Sequence, residues 1–203
     1  MTLADFTRPG LIVPHLVSRD APAAIHELSL ALQREGCVPD WLPFYHEALN
    51  REFLLSTDME AGLAFPHARL PGLRELAFAF GRSDAAFTWG QGISHPVRMV
   101  FLLAVPSAAA DQYLALVSGL ARLSGNRLLL DAIRDAADSA ALMAVFRQIV
   151  LPGNAVPAAS TDPRHQEKQK LETVRQELAS AIERIDGVLK SPGDGNGNGA
   201  PKS

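Results

Sequence analysis

The chain has 203 residues, 47% of them hydrophobic, with a formal net charge of −3, which suits one domain of ordinary size plus an appendage. A domain of roughly 150 residues buries about 68 to 70% of its unfolded surface without a disulfide or metal staple, and the single cysteine, Cys37, can form no internal disulfide and points to a reducing compartment. The slight negative charge gives no reason to invoke nucleic acid, and neither a basic-flanked apolar leader nor an apolar run near the ~20 residues that cross a bilayer is seen, so no membrane insertion and a cytoplasmic location are expected.

Residues 11–13 read as a short strand. Asp20 is a predicted N-cap with Pro22 in the first turn, and Ile25, Leu28 and Leu32 recur at helical spacing until Gly36 offers a stop. A second helix begins at Asp40 and carries Leu42, Tyr45 and Leu49 on one stripe, so that Arg51 and Glu52 fall at its end. Residues 63–65 form a brief apolar run between Gly62 and Pro66 and predict a strand with His67 at its end. Residues 76–82 and 97–105 are apolar runs of the kind found in strands covered on both faces, separated by a turn at residues 90–92. After Pro106, Tyr113, Leu116, Val117 and Leu120 keep helical spacing, and Asn126 and Ser139 are candidate N-caps for two further helices that end near Val150. Strands and helices alternate as in an α/β sandwich, although the order of the sheet cannot be read from periodicity.

His67 is the best candidate for chemistry. Pro66 fixes its own φ and biases Phe65 toward extended geometry, so the backbone leading to the imidazole is stiff. Gly62, without a Cβ, allows a backbone or ligand to approach closely. Arg69 stands two residues beyond His67, which in an extended segment puts both side chains on one face. A nucleophilic ring beside a guanidinium suits an anion.

The stretch Ala61-Gly62-Leu63-Ala64-Phe65-Pro66-His67-Ala68 resembles the phosphorylation-site motif of type-2 enzyme IIA, the fructose, mannitol and nitrogen-regulatory class of the bacterial phosphotransferase system. Arg51-Glu52 and Thr57 upstream match that family's Arg-Glu and Thr, and the likeness runs from about Leu11, through the block from Val97 to Pro106, to about Val150. The resemblance implies a mixed central sheet flanked by helices. It also implies a phosphocarrier whose His67 accepts a phosphoryl group from the phosphorylated histidine carrier protein and passes it to an enzyme IIB or a regulated protein. Arg51 and Arg69 would then clamp the phosphate and Thr57 would add a hydroxyl donor, with no cofactor and no metal required. Tyr113 falls where the family carries a second active-site histidine, and a phenol cannot replace imidazole as acid or base near neutral pH, although its hydroxyl can hydrogen-bond. Glu60 stands where the family commonly has glycine and Asp58 where it has a small residue, so either carboxylate would repel phosphate unless paired or turned away. The alternative is a non-catalytic regulatory module that keeps the fold and acts by docking.

The remaining histidines, His15, His26, His46, His95 and His165, show no metal-ligand spacing. Cys37 reads as a passive small side chain, and Trp41 and Trp89 as packing aromatics. The enzyme IIA-like domain is expected over residues 1–151 and a Pro- and Ala-rich linker over residues 152–162. Residues 163–190 place Leu171, Val174, Leu178, Ala181, Ile185 and Val188 three and four apart, giving an amphipathic helix of about three heptads that either forms a coiled-coil homodimer or docks on its own domain. Residues 191–203, rich in Gly, Pro and Asn, read as a disordered tail.

Overall fold

The computed structural model describes residues 1–90 and 95–151. The predicted linker, heptad helix and tail, and most of the turn at residues 90–92, lie outside the described residues. Strand β6 (Pro96–Pro106) pairs antiparallel with β5 (Ala77–Thr88), and the two form the middle of the sheet. Successive strand residues point to opposite faces. Val100, Leu102 and Ala104 therefore pack on one side with Ala77 and Ala79, and Phe101, Leu103 and Val105 on the other with Phe78 and Phe80.

Two apolar faces need two covers. Helices α1 (Ala21–Arg34) and α2 (Trp41–Leu54) close the first with Ile25, Leu28, Leu32, Phe44 and Ala48. Helices α3 (Ala110–Ser124), α4 (Arg127–Asp135) and α5 (Ser139–Gln148) close the second with Leu116, Leu120, Ile133, Leu142 and Phe146. Each such side chain taken fully from water is worth about 1.5 to 3 kcal/mol. The sheet is mixed, as expected, and has six strands among the described residues. Strand β1 (Ile12–Val13) runs parallel to β5, β2 (Asp58–Met59) is antiparallel to β3 (Leu63–Ala64), and both β3 and β4 (His67–Leu70) run parallel to β6.

The helix starts follow their caps. Asp20 accepts from the Ala23 amide at 2.8 Å, Asp40 from Leu42 at 3.0 Å and Asn126 from Leu129 at 3.2 Å. For α5 the cap is Asp138, accepting from Ala141 at 2.8 Å, one place before the expected Ser139, which is the first helical residue.

Near the site the structure departs from the sequence reading. The single strand predicted over residues 63–65 is two short strands. β3 stops at Ala64, and His67 opens β4 rather than ending β3. Pro66 has no N–H to give a ladder, while its carbonyl still accepts from Leu103 N at 2.9 Å, so the chain steps out of pairing and back in. Gly62 is required for its conformation, not for a close approach. Its φ is +77°, and a Cβ there would meet only the Pro96 carbonyl at an ordinary 3.6 Å. Strand β5 also runs past Arg82, through a register shift between Arg82 and Phe87.

Arg82 itself is buried. It donates through Nη1 to the carbonyls of Ile133 and Arg134, both at 2.8 Å, and of Ala136 at 2.7 Å, and through Nε to Pro14 at 3.2 Å. A cation thus satisfies the orphan carbonyls at the C-terminal end of α4, where the helix dipole favours it.

Candidate active site

Strand β4 lies beside β6 at the margin of the sheet, with the register His67↔Leu103, Ala68↔Ala104 and Arg69↔Val105. Ala68 packs in the core under α1 and α2. His67 and Arg69 therefore emerge on the other face, on the same side as α3. Tyr113, in the first turn of α3, meets both: its ring centroid is 5.8 Å from that of His67, and the Arg69 guanidinium carbon is 5.7 Å from the same ring. Arg51 arrives from the last turn of α2, which packs against β4. Both helical layers so contribute to a site at the sheet margin.

His67, Arg51, Arg69 and Tyr113 line one cavity of about 220 Å³ together with Glu47. The imidazole is held at both nitrogens. Nδ1–H donates to the Phe65 carbonyl at 3.3 Å, and Arg51 Nε–H donates to Nε2. A nitrogen that accepts a hydrogen bond carries a lone pair, so the proton sits on Nδ1 and Nε2 is the free base. Burial pushes the His67 pKa below the ordinary imidazole value, and the Arg51 guanidinium pushes it further. The ring is neutral at neutral pH, with its basic nitrogen turned into a cavity between two guanidinium groups.

Thr57 stands outside the cavity lining. Its hydroxyl donates to Glu52 Oε2 at 2.7 Å and accepts from the Phe65 amide at 3.1 Å, so its proton is committed to the protein. Neither Glu60 nor Asp58 lines the cavity. Glu60 is exposed in the turn between β2 and β3. Burial works against the Asp58 carboxylate, but hydrogen bonds from Ser56 and from the amide and ring of His95 hold its pKa below the usual carboxylate value. The carboxylate that does line the cavity is Glu47, one turn before Arg51 on the same helix face, a spacing visible in the sequence. Two other features were not seen in advance. Trp89 is buried and donates from Nε1 to Glu52 Oε1 at 2.7 Å. Large apolar side chains next to the site residues are bare: Leu54 is 87% exposed, Leu55 76% and Leu114 63%.

Cys37 lies elsewhere, buried, with its sulfur 2.7 Å from an Arg8 guanidinium nitrogen. Burial raises its pKa despite Arg8, which keeps it a thiol. A larger hollow of about 440 Å³, beside Arg74, Pro106 and Asp111, has no imidazole, thiol or hydroxyl among its lining residues.

With this geometry, the chain matches over residues 5–149 the family described as phosphoenolpyruvate-dependent sugar phosphotransferase system, EIIA 2. It belongs to that family. It is 29% identical over 151 residues to the nitrogen regulatory protein of Bradyrhizobium diazoefficiens, covering 72% of this chain and 95% of that protein. It is 33% identical over 120 residues to the 2-O-alpha-mannosyl-D-glycerate-specific EIIABC component of Escherichia coli, covering 58% of this chain but only 18% of that larger protein. The fold is shared with the nitrogen regulatory protein IIA-Ntr of Neisseria meningitidis, at a TM-score of 0.62 and 22% identity over 71% of this chain and 98% of that one. It is also shared with the E. coli mannitol enzyme IIA in its complex with phosphorylated enzyme IIB, at a TM-score of 0.58 and 13% identity over 69% of this chain and 97% of that one.

Proposed function

We propose that the chain is a cytoplasmic phosphocarrier that takes a phosphoryl group from the phosphorylated histidine carrier protein onto His67 Nε2. It then passes the group to an enzyme IIB or holds it as a regulatory signal. The reading rests on one observation: a neutral imidazole whose Nδ1–H is engaged by Phe65 while Nε2 faces a cavity flanked by Arg51 and Arg69. In the step itself, the Nε2 lone pair attacks phosphorus, the donor's P–N bond breaks, and its electron pair returns to the donor ring. The Nδ1 proton stays where it is. Charge on the equatorial oxygens is met by Arg69 and by Arg51, whose N–H changes partner from Nε2 to phosphate oxygen as the phosphoryl group arrives. The bare Leu54 and Leu55, just after Arg51 in the chain, and Leu114, next to Tyr113, suit a protein donor and acceptor, because exposed large apolar side chains are available for docking.

A second reading, a docking module without transfer, is favoured by Tyr113 and Glu47, which put a phenol and a carboxylate in the cavity. Incubation with phosphorylated carrier protein separates the two. The first reading expects acid-labile, base-stable phosphate on the chain, abolished in His67→Ala. Label that persists in the variant overturns the site, and a wild type that takes none from the carrier protein leaves the docking module.

A further inference from the structure

We propose that Trp89 is a positioning residue for His67, acting through the buried carboxylate of Glu52 to hold both hydrogen-bond partners of the imidazole. This rests on His67 as the phosphoryl acceptor. Glu52 is only 7% exposed and collects four donors. Oε1 accepts from Trp89 Nε1 at 2.7 Å, the Thr57 amide at 2.6 Å and Ser56 Oγ at 3.1 Å, and Oε2 accepts from Thr57 Oγ1 at 2.7 Å. The Thr57 oxygen in turn accepts from the Phe65 amide at 3.1 Å, and the Phe65 carbonyl receives His67 Nδ1–H at 3.3 Å. That is the Nδ1 side. On the Nε2 side stands Arg51, the residue before Glu52 in the last turn of α2, so a fixed Glu52 also fixes the turn from which the guanidinium reaches the ring.

Among these donors Trp89 is the distant one. Thr57 and Ser56 lie five and four residues from Glu52 and move with the same loop, whereas Trp89 lies 37 residues away, just past β5. It is 4% exposed and packs against Phe87 at 6.0 Å between ring centroids. Among the described donors it is the one that ties the carboxylate to the end of β5. Without its N–H, a buried carboxylate loses a charge-assisted bond and reorients, and the Phe65 carbonyl and Arg51 lose their common reference.

The test uses the full chain labelled with 15N-histidine. Two-bond proton–nitrogen correlation reads the ring tautomer of unphosphorylated His67, and initial rates read acceptance from phosphorylated carrier protein. The wild type is expected to show Nδ1–H alone. Trp89→Phe, which keeps an aromatic ring, is expected to show both tautomers and about a tenfold lower rate with the KM for the donor unchanged, since small misplacements of a reacting group carry large rate effects. A merely structural tryptophan would lower the thermal midpoint and leave the tautomer alone, so a pure Nδ1–H signal in folded Trp89→Phe overturns the proposal. Should that variant not fold, Thr57→Val cuts the same chain of bonds one link further on, and an unmoved tautomer there overturns it equally. A wild type that takes no phosphate while Trp89→Phe mixes its tautomers supports the brace and ends the phosphocarrier reading. A wild type that takes phosphate while neither variant shifts the tautomer does the reverse.

Discussion

An imidazole that attacks phosphorus must be neutral and must keep its proton on the nitrogen that does not react. Burial and Arg51 supply the first condition and the Phe65 carbonyl the second. The sign of the pH dependence follows. Because the His67 pKa is depressed, phosphate acceptance should persist as pH falls below the ordinary imidazole value of about 6.5 and fail only once the lowered value is crossed. Arg51→Ala removes one of the three depressing influences, leaving burial and Arg69, so the acid limb of the rate profile should move upward, while the plateau drops roughly a hundredfold through loss of a preorganised donor. An unmoved limb in that variant would mean that Arg51 does not act on the ring. The meeting of His67, Arg69 and Arg51 was legible in the sequence, because strand alternation and a helix end each act over a few residues, whereas Tyr113 was placed there by the family resemblance. The engagement of Trp89 was not, since nothing local distinguishes a tryptophan that packs from one that donates to a carboxylate 37 residues away. Thr57 was expected to offer its hydroxyl to phosphate, and here it donates to Glu52: a hydroxyl close in sequence to a site can belong to its scaffold.

Helices were more legible than strands. The caps at Asp20, Asp40 and Asn126 are side-chain chemistry confined to one turn. The division of β3 from β4 and the extension of β5 depend on which amides β6 offers, and that is a property of a neighbour distant in sequence. Arg82 belongs to the same class. In the sequence it is only the last residue of an apolar run, yet it terminates α4 by binding three carbonyls at 2.7 to 2.8 Å. Arg82→Met is close in length but donates nothing, and strands those acceptors in the core. It should cost about 3 kcal/mol, measured by urea unfolding, with the loss confined to stability. A variant within about 0.5 kcal/mol of wild type would show that water replaces the guanidinium.

At the scale of the whole chain, residues 5–149 are those that match the enzyme IIA family, and we propose that the heptad pattern of residues 163–190 forms a helix that calls for a partner of its own. A stripe of Leu171, Val174, Leu178, Ile185 and Val188 is more apolar than a solitary solvated helix tolerates. We expect the full chain to self-associate at micromolar concentration and a chain ending at Leu151 to be monomeric by light scattering, with phosphate acceptance retained. A monomeric full-length chain would sink the dimer and leave the helix for its own domain or another protein. The placement of His67 and Arg69 on an edge strand, between an arginine from one helical layer and a tyrosine from the other, carries a mechanical consequence. A phosphoryl group gripped by both guanidinium groups is a rivet through the margin of the sheet, joining α2 to β4. It would stiffen what it marks, because the charge-assisted bonds from its oxygens to Arg51 and Arg69 are made in the folded state and lost on unfolding, although the P–N bond itself survives. The phosphorylated chain should therefore exchange its amide protons in the last turn of α2 and in β4 more slowly than the free chain. Equal exchange in the two forms would mean that the phosphate hangs in solvent, read by a partner's surface alone.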